Sequence, residues 1–215
     1  MPAADETSRT SVGAAPAAGG ANRADRANRV GPPADASAAR GACTDASARL
    51  FVALWPDAGV RRTLVRWRDR WHWPASARLV APHDLHITLH FLGAVPRGAL
   101  PALRDALAWR GPAFELHLGP VLPWSGALAV AGVDDPPPAL FALHAATAGT
   151  LRALGHRPEA RAYRPHVTLA RRAPGARPPD TPLDCRWTVH EFVLVESGGP
   201  AGPGYHVLRR YRPNG

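Results

Sequence analysis

His86-Ile87-Thr88-Leu89-His90-Phe91-Leu92-Gly93 and, eighty residues on, His166-Val167-Thr168-Leu169-Ala170-Arg171 carry one pattern: histidine, a β-branched residue, threonine, leucine. Each copy lies in a run with strand character. On a strand, side chains i and i+2 share a face. His86 therefore points with Thr88, and His166 with Thr168, while Ile87, Leu89, Val167 and Leu169 point the other way, into packing. One such motif would be unremarkable, because threonine is a good strand former. Two copies in matching contexts mark a duplicated unit that supplies one histidine and one hydroxyl from each half.

The surroundings repeat as well. The dense apolar run 49–54 reads as a strand, and Asp57 is placed to N-cap a helix running to about Trp71. Val60, Leu64, Trp67 and Trp71 form the buried stripe of that helix. Arg61, Arg62, Arg66, Arg68 and Arg70 fill the remaining, solvated face. Strands are expected at 78–80 and 84–92, the second closed by Gly93 and Pro96. A helix over 98–109, a strand over 114–118 and another over 127–133 follow. Asp134 to Pro138 launches a helix to about Leu154, with Leu140, Leu143, Thr147, Leu151 and Leu154 on its inner face and Gly155 as C-cap. The second motif sits in 163–171. Residues 185–195 form the longest strand candidate, and a glycine-rich turn joins them to 205–211 as a hairpin. Two strand–helix–strand passes emerge, with 36 residues from Leu50 to His86 and 39 from Ala127 to His166. The reading is an α+β domain over 49–215, bilobal and pseudo-twofold: two antiparallel-rich sheets flanked by helices around a central groove.

Residues 1–48 are rich in Ala, Pro, Gly and Arg and hold no aromatic side chain, so they cannot bury enough surface to offset their ordering entropy; a disordered tail is expected. That tail carries five arginines against five acids. Residues 49–215 carry 21 against 12, so the whole net charge of +9 sits on the folded part, which suits a polyanionic partner such as RNA, a generally Arg-rich surface being the other reading. Lysine is absent; all 26 basic residues are arginine. Two cysteines, Cys43 and Cys185, make no disulfide framework and suit a reducing cytoplasm. No signal peptide is read, and no apolar run approaches the roughly 20 residues that span a membrane.

Two histidines and two hydroxyls suit acid–base chemistry. On a strand, His86 and His90 stand about 13 Å apart, too far to share one metal ion. No carboxylate cluster, helical His-Glu-x-x-His or nucleophile elbow accompanies them. An imidazole titrates near 6.5, so one ring can be neutral and another charged close to neutral pH. Paired imidazoles can share the opening of a strained phosphodiester, one removing a proton from water while the other protonates the departing ribose oxygen. The threonine hydroxyls donate to phosphate oxygens whose charge grows in the transition state. No metal or cofactor is needed.

The paired motifs resemble the His-x-Thr-x signatures of the 2H phosphoesterase superfamily. The surroundings resemble its RNA 2′,3′-cyclic phosphodiesterases, also called 2′-5′ RNA ligases. The residues that carry this are Arg49-Leu-Phe-Val-Ala, Trp73-Pro74, Leu85 to Gly93, His166 to Arg171, and Leu194-Val-Glu-Ser197 with Tyr205. The likeness covers essentially all of 49–215. It implies hydrolysis of a terminal RNA 2′,3′-cyclic phosphate, such as a tRNA fragment bears, to a 2′-phosphomonoester, with His86 as proton donor and His166 as proton acceptor. It also implies phosphate binding by Thr88, Thr168 and Arg171. Strict alternation sets Arg171 on the face opposite His166, so a strand end or a bulge must re-aim it. The expected partner is RNA, the expected location the cytoplasm, the expected state a monomer.

His90 falls on the His86 face and is a candidate to line the groove. Phe91 reads as core, with stacking on a terminal base as the other reading. Arg161 and Arg164 are either solvated or in contact with RNA phosphates. The other histidines carry no pattern. Two rival functions stay open: a relative acting on a small cyclic nucleotide or a 2′-5′ oligonucleotide, and a non-catalytic RNA-end-binding module. Ligation is the same chemistry reversed.

Overall fold

The structure, a computed structural model, describes residues 47–121 and 127–213. The expected tail lies outside the described residues except for Ser47 and Ala48, which open β1 (Ser47–Leu54); Ala48 is buried opposite Val95. α1 (Ala58–Arg68) starts where expected, with Asp57 Oδ1 accepting from the N–H of Gly59 at 2.6 Å and of Val60 at 2.9 Å. It stops three residues short of Trp71. The Trp73 indole donates to the Arg68 carbonyl, and Trp71 stacks on Trp73 (4.8 Å between centroids), so the tryptophans close the helix rather than extend it. β2 (Arg78–Leu79), a single 3-10 turn at Pro82–Asp84 and β3 (Ile87–Pro96) follow. β3 does not close at Gly93 but passes through it, with φ at +73°, a value glycine adopts freely.

The helix expected over 98–109 is a 3-10 turn at Arg97–Ala99 leading into a short α2 (Leu100–Ala106). β4 (Phe114–Val121), β5 (Ala129–Asp134), α3 (Pro138–Ala153) and β6 (His166–Arg171) come next. Gly155 follows α3 with φ at +82°, as a C-terminal glycine does, while Leu154 is part-exposed because the helix has already ended. The run 185–195 is two strands, β7 (Cys185–Val189) and β8 (Phe192–Ser197), at different places in the sheet. β7 is an edge strand that alternates buried and exposed, whereas β8 lies inside and is buried at five of its six positions. β9 (Tyr205–Tyr211) pairs with β8 as the expected hairpin.

The strand order β7-β4-β5-β6-β3-β1-β8-β9 is antiparallel throughout, with β2 attached to β6. Each lobe contributes four strands, and the lobes join through one pair between the two motif strands, Ile87↔Val167. The pseudo-twofold relation is visible in the helices too. α1, which follows β1 of one lobe, packs on β7 of the other; α3, which follows β5, packs back on β3. The main core lies on the helix side. A smaller cluster of Phe51, Ala53, Val193 and Val195 lies on the other side, under Trp55, Tyr205 and Val207.

Arg68 departs from the expected solvated face. It is 5% exposed, donating to the Val80 carbonyl at 2.5 Å and to Asp69 Oδ1 at 3.1 Å through both Nε and Nη2. The Val80 N–H in turn donates to the Leu169 carbonyl, so this arginine braces the segment beside the second motif. Arg68→Ala is expected to cost about 2–3 kcal/mol, from an orphaned carbonyl and lost stem packing. Chemical denaturation checks this; a loss below about 0.5 kcal/mol would show that the buried guanidinium contributes nothing net.

Candidate active site

The register around Ile87↔Val167 assembles the four motif side chains. The pair is antiparallel, so His86 falls across from Thr168 and Thr88 across from His166, all four on the face opposite Ile87 and Val167, which are fully buried. Residues eighty positions apart thus meet at a local twofold.

Each histidine is held the same way. His86 Nδ1 donates to the Asp84 carbonyl at 2.6 Å, and His166 Nδ1 donates to the Arg164 carbonyl at 2.8 Å. A carbonyl only accepts, so both rings carry their first proton on Nδ1, and Nε2 is the nitrogen left to gain or give one. His86 Nε2 lies 3.1 Å from Thr88 Oγ1. When His86 is neutral, the threonine donates to it. When His86 is charged, Nε2–H donates instead and the hydroxyl proton turns to another acceptor.

The strands then break their alternation at matching places. On β3, Thr88 pairs with Ala53 and His90 with Val52, leaving Leu89 as an extra, bulged residue. On β6, Thr168 pairs with Val130 and Ala170 with Ala129, leaving Leu169 as its counterpart. A bulge re-aims every side chain beyond it. Leu89 and His90 are consecutively buried, as are Leu169 and Ala170. Arg171 is thereby returned to the face of His166 and lines a pocket of about 320 Å³ together with His86, Thr168, Asp84 and Tyr205. The same device corrects two expectations. His90 leaves the groove: it is 3% exposed, with Nε2 against Thr147 Oγ1 and the His144 carbonyl of α3. Phe91 leaves the core: it is 50% exposed, opposite Phe51, with the Arg49 guanidinium 5.1 Å above its ring.

Aromatic rings box His86. Trp55 stacks on it (5.4 Å, 9°), Tyr205 meets it edge-on (5.4 Å, 85°) and Phe51 lies tilted at 5.0 Å. Phe51, Ala53 and Trp55 occupy alternate positions of β1 and its exit, a periodicity that a uniformly apolar run conceals. Asp84 was also missed; its Oδ1 is buried without a hydrogen-bond partner and its side chain lines the pocket.

Burial lowers the pKa of His86 below the usual 6.5; the Asp84 carbonyl and carboxylate oppose this, while Arg171 and His166 add to it. Burial also lowers His166; the hydrogen bond to the Arg164 carbonyl opposes it, and the Arg161 and Arg164 charges add to it. Both imidazoles are therefore biased toward the neutral form. Cys185 is buried in the core, its thiol pushed up to about 11, and takes no part.

The model of the 2′-5′ RNA ligase superfamily matches residues 55–201. An RNA 2′,3′-cyclic phosphodiesterase of Thermus thermophilus is 32% identical over 186 aligned positions, 78% of this chain and 91% of its own. One of Escherichia coli is 33% identical over 168, 76% of this chain and 95% of its own. Among solved structures, E. coli LigT with 3′-AMP superposes with a TM-score of 0.70 at 29% identity, covering 79% of this chain and 99% of that one. This chain belongs to the 2′-5′ RNA ligase superfamily.

Proposed function

We infer that this protein hydrolyses the 2′,3′-cyclic phosphodiester at the end of an RNA to a 2′-phosphomonoester, with no metal or cofactor in the step. The observation that carries the reading is the His86–Thr168, Thr88–His166 arrangement about one strand pair, each ring oriented by a carbonyl two residues upstream. Its similarity to two RNA 2′,3′-cyclic phosphodiesterases supplies the substrate class.

His166 accepts a proton from water through Nε2 as the water oxygen attacks phosphorus. The bond from phosphorus to O3′ breaks, and His86 gives its Nε2 proton to that oxygen. Thr88, Thr168 and Arg171 hold the non-bridging oxygens, on which charge accumulates. The assignment of donor and acceptor follows the family pattern; the Asp84 carboxylate by His86 favours a charged donor while the Arg171 guanidinium opposes it, and the Arg161 and Arg164 guanidiniums by His166 favour a neutral acceptor. The enzyme would act as a monomer in the cytoplasm, with 2′-5′ ligation as the reverse reaction. No described helix is long and apolar enough to cross a membrane.

The pH profile tests this. Catalysis needs one ring charged and one neutral, and kcat/KM reports the free enzyme. Both pKa values are lowered, so the bell for kcat/KM on a cyclic-phosphate oligonucleotide should peak below pH 6.5 and decline as pH rises through the donor's pKa. The bound phosphate anion favours imidazolium, so kcat should peak at higher pH than kcat/KM. Chelator should change neither. A flat profile between pH 5 and 8 would remove two titrating imidazoles from the mechanism.

A further inference from the structure

A second recess, about 500 Å³, adjoins the first and is lined by Trp55, Asp57, Arg61, His190, Arg210 and Arg212, among others. Trp55 is the wall between them, with one face stacked on His86 and its edge toward Tyr205 of the first pocket. Arg210 belongs to the same side of the sheet as His86. It pairs with Val193, which packs with Phe51 and Ala53, and Phe51 in turn touches His86. Glu191 holds Arg210 and Arg212 together, with Arg212 Nε at 3.3 Å. Arg61 is anchored to the Pro56 carbonyl at 2.5 Å. Three guanidiniums stand against two carboxylates, and the Asp57 carboxylate is already engaged by the N-terminal amides of α1.

We propose that this recess is a track for the RNA 5′ of the reacting nucleotide, with Trp55 as a platform between the cyclic end and the preceding residue, and Arg61, Arg210 and Arg212 on the phosphates. The proposal rests on the acid–base reading and deepens it. A short polyanion needs positive side chains spaced along a groove and an aromatic surface to stack on, and this face offers both directly beyond the histidine. On this reading a mononucleotide would occupy the first pocket and leave the second empty. Guanidiniums paired to one carboxylate are also pre-positioned, so little side-chain freedom is lost when a phosphate displaces solvent from them.

The test is fluorescence anisotropy on the full chain with a labelled RNA octamer ending in a 2′-phosphomonoester, which is not turned over. Arg210→Gln/Arg212→Gln should weaken octamer binding about tenfold and flatten the plot of log affinity against log salt by about 1.4, two phosphates at ~0.7 each. A nucleoside 2′-monophosphate should lose several-fold less. Arg210→Lys/Arg212→Lys should recover most of the binding, because a phosphate contact needs the charge more than the fork, which separates lost contact from lost folding. Equal losses on octamer and mononucleotide, unchanged octamer binding, or an equal loss from Arg152→Gln in the last turn of α3 would each overturn the track. Hydrolysis by the parent is scored apart: octamer binding without turnover of a cyclic end contradicts the acid–base reading and leaves the track standing.

Discussion

His86→Ala and His166→Ala should each reduce kcat/KM on an oligoribonucleotide ending in a 2′,3′-cyclic phosphate by about 10²–10⁴-fold, the usual worth of one positioned proton transfer. The two losses should not add. Once either carrier is gone the concerted transfer is gone, so the double variant should lie close to the worse single one. The surviving limbs of the pH profile separate the roles. Without His86, the decline of rate at high pH, which reports loss of the donor's proton, should vanish. Without His166, the decline at low pH should vanish instead. Swapped limbs would reverse donor and acceptor while leaving the pair intact. Stability offers an internal control. His86 is packed among Phe51, Trp55 and Tyr205, so its truncation should also lower the melting temperature. His86→Gln should lose the activity with less loss of packing.

Arg171→Ala should cost about 10²-fold in kcat/KM, the scale for removing one donor to a developing phosphate charge. The sign of its second effect is diagnostic. The Arg171 charge lowers the pKa of His86, so its removal raises that pKa and carries the high-pH limb of the profile upward. Arg171→Lys keeps the charge, so it should hold the limb in place and restore part of the rate. A drop in rate with no movement of the limb would put Arg171 on the phosphate but electrically remote from His86. No drop would remove it from the site.

The motif histidines and threonines were legible because alternation is local: i and i+2 share a face over three residues whatever happens beyond. Legibility ended one residue later. The bulges at Leu89 and Leu169 leave no mark in composition, since a leucine that is bulged and one that is paired are the same letter. Two side chains therefore came out on the wrong face. His90 is in the core and Phe91 is half-exposed beside Arg49, while Arg171 reaches the pocket of His86 and Thr168 only because the second bulge repeats the first. The α+β class and the duplicated passes were readable from periodicity, but the crossing of α1 and α3 to the opposite lobe was not, because nothing in a helix says which strands will receive it. The same limit hid the break at His190-Glu191. Residues 185–189 alternate apolar and polar and 192–195 are uniformly apolar, so the change of pattern was present in the sequence, but the place of each strand in the sheet was not. Trp55 and Asp84 were missed for a different reason: one looked like the residue that ends an apolar strand and the other like the first residue of the motif strand, and their meaning lies in the ring of His86 between them.

The most direct test of the paired-histidine account is a product assay on an oligoribonucleotide ending in a 2′,3′-cyclic phosphate, in the presence of chelator, resolving 2′- from 3′-monophosphate ends. The account predicts conversion to the 2′-monophosphate alone by the parent chain, and conversion slowed by about a hundredfold or more in His86→Ala or His166→Ala. Full conversion by either variant, or a product ending in 3′-monophosphate, would contradict it.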